Sequence, residues 1–269
     1  MDGAIRANGG GACYTAAGGS VWLQASVLAG TGSVEAKGGS GTCQYTGGGG
    51  AIAVEYGTVE ATSTLLDHLQ AQGGSGATSR GGGAGTVYVR GGDAPTYGHL
   101  IVDNVGVTGR WKTILPSLGK GTAGSGSGGA TLVTGRSKAI PAFFAGHWVE
   151  VRNASGVLEG TWRIASIGTD GLTVTLTSNA GEALTVDEGD RWQGVYRFDR
   201  YTARGEVQVI SADPIRTYSE QVITGTVETD AIYADRLVIK SGATLQQRLT
   251  SSGSAPESLT IEVRELVVE

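Results

Sequence analysis

Three segments alternate apolar and polar residues in one phase: Val21-Trp22-Leu23-Gln24, Ile52-Ala53-Val54-Glu55 and Val87-Tyr88-Val89-Arg90. Each follows a glycine-rich run. A second family keeps step with them, Ile5-Arg6-Ala7, Val34-Glu35-Ala36 and Leu69-Gln70-Ala71. Both recur at a period of about 30–35 residues, the length of stacked structural units. Alternate side chains of a strand face opposite sides. Val21, Ile52 and Val87 therefore form one apolar row, with Leu23, Val54 and Val89 beside them. Trp22, Ala53 and Tyr88 face the other way, followed by Gln24, Glu55 and Arg90. Neighbouring strands would set Glu55 against Arg90, and Arg6 against Glu35, as favourable cross-strand pairs.

One such unit cannot bury its apolar face alone, so the pattern predicts a β-solenoid in which each rung covers the next. Glycine serves as corner residue where a side chain would clash between close turns. Runs such as Gly47 to Gly50 and Gly81 to Gly83 are long for corners and point to glycine-packed excursions. Leu100-Ile101-Val102 reads as a continuation of the ladder, and a Gly/Ser-rich loop from Gly119 to Gly129 closes the repetitive part.

Texture changes after residue 130. The 47 glycines of the 269 residues crowd into the part before it. Trp148, Trp162 and Trp192 lie beyond it, with Phe143, Phe144 and Phe198. Strands are predicted at Trp148 to Arg152, Gly160 to Ile167, Leu172 to Thr177 and Val195 to Phe198. Asn153-Ala154-Ser155-Gly156 and Gly168-Thr169-Asp170-Gly171 have hairpin-turn chemistry. This segment reads as a small antiparallel barrel or sandwich with an aromatic core. Strand-like runs return after residue 204, and a Ser-rich loop from Thr250 to Pro256 interrupts the last of them. The expected organisation is solenoid repeats over 1–108, a connector over 109–130, an inserted β domain over 131–203 and further rungs over 204–269. The fold class is all-β, a parallel β-helix with an inserted antiparallel barrel or sandwich.

Gly-Gly-Ser-Val-Trp-Leu-Gln-Ala at 18–25, Gly-Thr-Gly-Ser-Val-Glu-Ala-Lys-Gly-Gly at 30–39 and Ala-Asp-Arg-Leu-Val-Ile-Lys-Ser-Gly-Ala-Thr-Leu at 234–245 resemble the glycine-rich parallel β-helix repeats of very large bacterial secreted or surface proteins. The resemblance covers roughly residues 2–108 and 204–269. It implies a right-handed coil, extracellular or cell-surface display, and adhesive or structural work.

The chemistry of the residues narrows the function. A net charge of −5 carries no nucleic-acid footprint. No apolar run is long enough to span a bilayer, and no signal peptide is present. The chain starts inside a repeat and stops within a strand-like run, which suggests a piece of something longer with Met1 as an added start. Cys13 and Cys43 are the only cysteines; adjacent rungs would bring them near enough for a disulfide, which suits an oxidising location. They lack the spacing of a metal or redox site, and no cofactor is expected. Asp is nearly absent from the glycine runs, against a calcium roll. Thr-x-Thr runs in tandem only at Thr173 to Thr177 and is not repeated as an array, against an ice-binding surface. Gly119-Lys120-Gly121-Thr122 lacks the spacing of a phosphate loop, and no Gly-x-Ser-x-Gly elbow occurs.

The expected function is a non-catalytic structural or adhesive segment of an extracellular bacterial fibre or adhesin. Its partners would be a cell-surface glycan or protein, or neighbouring segments of the parent protein. Trp148 and Trp192 are the candidate ligand contacts. Two alternatives stand beside this reading. One is a pure spacer or shell element of a secreted toxin or giant assembly. The other is a polysaccharide-degrading β-helix enzyme, with acids among Glu55, Glu60, Asp67, Asp93 and Asp103 and bases among His68 and His99; His147 is the third histidine.

Overall fold

The computed structural model describes residues 2–42, 45–76, 81–108, 111–248 and 258–269. The chain is all-β and divides into two units. The first comprises Met1–Leu115, Phe198–Ser211 and Thr217–Glu269; the second comprises Pro116–Arg197 and Ala212–Arg216.

In the first unit the two alternating families pair in parallel. Ala4–Arg6, Ser33–Glu35 and Leu69–Gln70 form one small sheet, with Ile5 opposite Val34 and Val34 opposite Leu69. Ser20–Leu28, Ala51–Val59 and Thr86–Gly91 form another ladder, with Val21 opposite Ile52 and Ile52 opposite Val87. Val34, Ile52, Val54 and Val87 are buried together with Leu28, Leu65 and Ala71. A third parallel set holds Thr113–Leu115, Gln208–Ser211, Thr226–Thr229 and Thr244–Gln247.

The glycine runs between these strands are ordered by backbone hydrogen bonds from segment to segment. Gly18 N donates to Gly48 O, Gly49 N to Gly83 O, Gly39 N to Ala16 O and Gly74 N to Gly47 O, each at 2.9 Å. Such closeness leaves no room for side chains. A Cβ on Gly47 would overlap the carbonyl of Ala16, and one on Gly85 the carbonyl of Gly50.

The parallel stacking does not continue into a coil, which corrects both the β-helix expectation and the resemblance that carried it. Gly91 and Gly92 take positive φ angles of 146° and 54°, and the chain reverses. Ala94–Asp103 then runs antiparallel to Thr86–Gly91. Its far side pairs in parallel with Arg200 to Arg204. The sheet goes on through Ile215–Ile223, Ala231–Ile239 and Thr260–Val268, the last two in parallel. The result is a set of mixed multi-stranded sheets rather than a closed solenoid. A β-helix needs every strand to enter from the same side, and a two-residue reversal between adjacent strands breaks that condition.

The second unit is built on antiparallel pairings. Trp148–Arg152 lies between Leu158–Ile167 and the first residues of Arg191–Arg204. Thr173–Thr177 follows on one side and Lys120–Thr122 on the other. Thr131–Val133, Gly128–Gly129 and Val186–Asp187 extend the order. The stretch set apart above as a connector thus holds three strands, Thr113–Leu115, Lys120–Thr122 and Gly128–Gly129. Leu132, Val149, Val151, Trp162, Ile164, Val174, Leu176 and Trp192 share one core. Both sequence-read turns close: Gly156 N donates to Asn153 O and Gly171 N to Gly168 O. Asp170 also accepts from the Leu172 and Thr173 backbone and from the Thr173 hydroxyl. These bonds, the hydroxyl's first, hold its carboxyl below the ordinary carboxylate range.

The glycine packing predicts a sharp contrast between positions of identical composition. Gly47→Ala and Gly85→Ala should each destabilise by about 3 kcal/mol or more, because rigid backbone must shift. Gly10→Ala, where a Cβ meets nothing within 4 Å, should change stability by less than about 0.5 kcal/mol, the range of ordinary surface substitutions. Guanidinium unfolding of the three variants measures the contrast, and similar midpoints would refute it.

Candidate functional site

In the first unit, register on the parallel ladder aligns Gln24, Glu55 and Arg90 as one row across three strands. Glu55 and Arg90 form an ion pair. Trp22, Ala53 and Tyr88 form the next row, about 7 Å along the strands. Trp22 is 71% exposed, and its strand neighbour Ala53 is small enough to leave the indole uncovered on that side. The first of these rows lines a groove of about 820 Å³, together with Ser26, Tyr56 and Pro95 and with Gly91 and Gly92 at one wall; Trp22 stands outside this lining, one alternate position along the strand from Gln24.

The wall is positioned by few groups. A side chain on Gly91 or Gly92 would run into the Tyr56 ring, so these glycines both make the reversal and admit the tyrosine. Burial, then the negative charge of Asp93, pushes the Tyr56 phenol above its ordinary value. It therefore stays protonated at neutral pH and able to donate. The following hairpin arm is held by Asp199, whose Oδ2 accepts the backbone N–H of Thr96 at 2.9 Å, Tyr97 at 2.8 Å and Gly98 at 3.0 Å. Tyr97 stacks on Tyr218 at 4.7 Å between ring centroids. Arg200 reaches Asp93 at 2.7 Å.

The acids and bases named from the sequence are spread over this unit. Glu55, Asp93 and Asp103 are engaged by Arg90, Arg200 and Arg204 respectively. Asp67 and Asp103 line a separate cavity of about 410 Å³, together with Arg204, Gln70 and several apolar residues. Glu60 follows the end of Ala51–Val59, and His68 closes a single 3-10 turn, Leu65–His68. His99 Nε2 lies 2.9 Å from the Thr202 hydroxyl. Burial, reinforced by Arg200, lowers its pKa from 6.5 to about 4, so it is neutral at physiological pH.

The second unit holds the remaining candidates. Trp148 is 9% exposed, with the Arg197 guanidinium 4.4 Å from its ring centroid. Trp192 is 2% exposed; its indole N–H donates to Thr134 O, and the residue lines a pocket of about 330 Å³. Buried Asp213 accepts from the Ser117 hydroxyl and from the backbone of Leu118 and Gly119. His147 Nε2 approaches it at 3.3 Å. The serine proton is directed at the carboxylate and not at the imidazole, so this cluster lacks the bond that activates a nucleophile. Cys43, the proposed partner of Cys13, lies outside the described residues, as does the Thr250 to Pro256 loop.

Tyr56, the Gly91-Gly92 wall and Asp199 went unnoticed in the sequence. Gly91-Gly92-Asp93 carried a readable signal, a two-residue turn between alternating strands. Asp199 carried none, since its three donors lie about a hundred residues away. Among the described residues no group of His, Cys, Asp and Glu is arranged to hold a metal ion, and no helix is long and apolar enough to cross a membrane. Comparison with protein-family models, curated proteins and solved structures finds no match to this chain.

Two outcomes test this local account. Asp199→Asn, which exchanges a charged acceptor for an amide, should cost about 1–3 kcal/mol of stability, read by urea unfolding. His99 stays neutral in the folded state while an unfolded histidine binds a proton below about pH 6.5. Its contribution is therefore fully present above that value and lost as pH falls toward about 4. His99→Gln should flatten the stability profile between these limits, and a profile parallel to that of the unsubstituted protein would exclude the effect.

Proposed function

We propose that this chain is a non-catalytic structural and adhesive segment of an extracellular or cell-surface protein, and that the groove beside Trp22 receives a glycan. The exposed indole beside a polar groove carries this reading. Sugar rings present apolar faces and many hydroxyls. A flat aromatic surface with paired charges and a protonated phenol nearby answers both. Glu55 and Arg90 offer acceptor and donor in one row, and Tyr56 adds a further donor.

The structural part rests on the sheet edges. Ser20–Leu28 and Thr260–Val268 are each nine residues long. Among the described residues each pairs on one side only. They expose Trp22, Val27, Ile261, Leu266 and Val268. Long edges with apolar side chains are what strand addition by another segment uses. Neighbouring segments of the parent protein, or a protein partner, would supply that strand.

The enzyme alternative draws on one observation, Asp67 and Asp103 lining the same cavity. Glycoside cleavage needs one carboxyl group as acid and another as base or nucleophile. Here Arg204 engages Asp103 at 2.6 Å, which favours a structural role for that carboxylate.

A panel of neutral polysaccharides, scored for retention and for released oligosaccharides, tests the proposal. Retention without release is expected. Trp22→Ala should weaken retention about tenfold, equivalent to about 1.4 kcal/mol. Release of products abolished by Asp67→Asn would replace binding with catalysis. Retention unchanged by Trp22→Ala would remove the groove from the account.

A further inference from the structure

We propose that the pocket of the second unit binds the oxyanion groups, sulfate or carboxylate, of an acidic polysaccharide. The polysaccharide carrier rests on the glycan-binding reading above, whereas the preference for an oxyanion rests on this pocket alone.

The pocket lies on three adjacent strands whose register fixes its contents. Lys120 is opposite Gln193, and Gln193 opposite Glu150. Two residues further, Thr122 is opposite Arg191 and Arg191 opposite Arg152. All six residues line the pocket of about 330 Å³. Strands lie about 4.8 Å apart and alternate residues about 7 Å apart, so the six form a patch of roughly 10 by 7 Å. Of the intervening positions, Trp192 and Val151 belong to the core on the other face.

The lining carries Lys120, Arg152 and Arg191 against one acid, Glu150, and that acid is satisfied. Glu150 Oε1 accepts from Arg216 Nε at 3.2 Å and Nη2 at 2.8 Å. Its Oε2 lies 3.5 Å from Arg152 Nη2. Buried Glu150 is thus matched by Arg216 from the strand Ile215–Ile223 and serves to orient Arg152. Arg191 is exposed and makes no ion pair among the described residues. Lys120 and Arg152 flank it, with the Thr122 hydroxyl and Gln193 amide as neutral partners. A guanidinium presents two parallel donors that match the geometry of a carboxylate or sulfate. The volume lies at the small end of ligand sites and suits one charged sugar residue. Three lining cations on so short a patch, in a chain of net charge −5, do not track a nucleic-acid backbone.

The test uses the full chain with dextran sulfate, polygalacturonate and unmodified dextran, measured by titration calorimetry at low salt, and sodium sulfate as competitor. At least one polyanion should bind while dextran does not bind at this pocket. The stronger of the two identifies sulfate or carboxylate as the preferred group, and sodium sulfate should compete at millimolar concentration. Arg191→Gln should weaken polyanion binding at least tenfold. This substitution breaks no ion pair among the described residues, and an unchanged melting temperature confirms that the fold survives. Lys138→Gln, an exposed cation of the same unit outside the pocket, should leave binding intact. Absence of binding to both polyanions, survival of binding in Arg191→Gln, or an equal loss in Lys138→Gln would each overturn the proposal. Polyanion binding with a blank neutral panel would refute the Trp22 groove and leave this pocket standing; the converse would refute the pocket.

Discussion

The approach of glycine backbones within the first unit is the constraint on which the rest depends. The runs around Gly18, Gly38, Gly47, Gly73 and Gly82 bond to one another through N–H and C=O groups. Side chains at most of these positions would overlap a neighbouring carbonyl. Burying a peptide group without a partner is expensive, so a layer without side chains has to satisfy its backbone from segment to segment. That requirement fixes how far one strand sits from the next. Val34, Ile52, Val54 and Val87 are then buried together in one core. Glycine is the least favourable residue entropically, yet here it is the only one that lets these segments meet.

Cross-strand charge pairs report the same register from outside. Arg6 meets Glu35, Glu55 meets Arg90, Asp235 meets Arg264 and Lys240 meets Glu269. Exposed pairs of this kind add little stability individually. Their value lies in specificity, because a one-residue slip would turn every partner to the opposite face. Glu35 shows the effect on a carboxylate. The Asn8 amide, followed by Lys37 and Arg6, holds its pKa below the ordinary value against the opposing influence of burial.

Local alternation made much of this fold legible. The pairings of Ile5 with Val34 and of Val21 with Ile52 follow from phase and period, and so do the Asn153 and Asp170 turns. The direction of the next strand was not carried by alternation. Leu100-Ile101-Val102 has the same pattern whether it runs parallel or antiparallel, and only the Gly91-Gly92-Asp93 reversal decides between them. Periodicity alone therefore extended a ladder that the backbone turns back. The later strands show a milder form of the same limit. The Ala234-Asp235-Arg236 stretch interrupts the apolar pattern but not the strand Ala231–Ile239, since Asp235 pairs with Arg264 across the ladder and needs no turn.

The candidate sites were less legible because each is a property of register rather than of any segment. Trp148 and Trp192 drew attention as large aromatics, yet a tryptophan among alternating strands is most economically placed in the core, where its area is worth most. Both are buried. The polar positions beside them carry the accessible chemistry. Lys120, Arg191 and Arg152 are unremarkable in their own segments and acquire meaning only when three strands place them side by side. Gln24, Glu55, Arg90 and Trp22 share that logic on the parallel ladder. A sheet that commits one face to a core must display the alternate residues on the other. The two candidate sites are thus coupled to the same period of two that holds the sheets together, and a change of register would unmake the core and both sites at once.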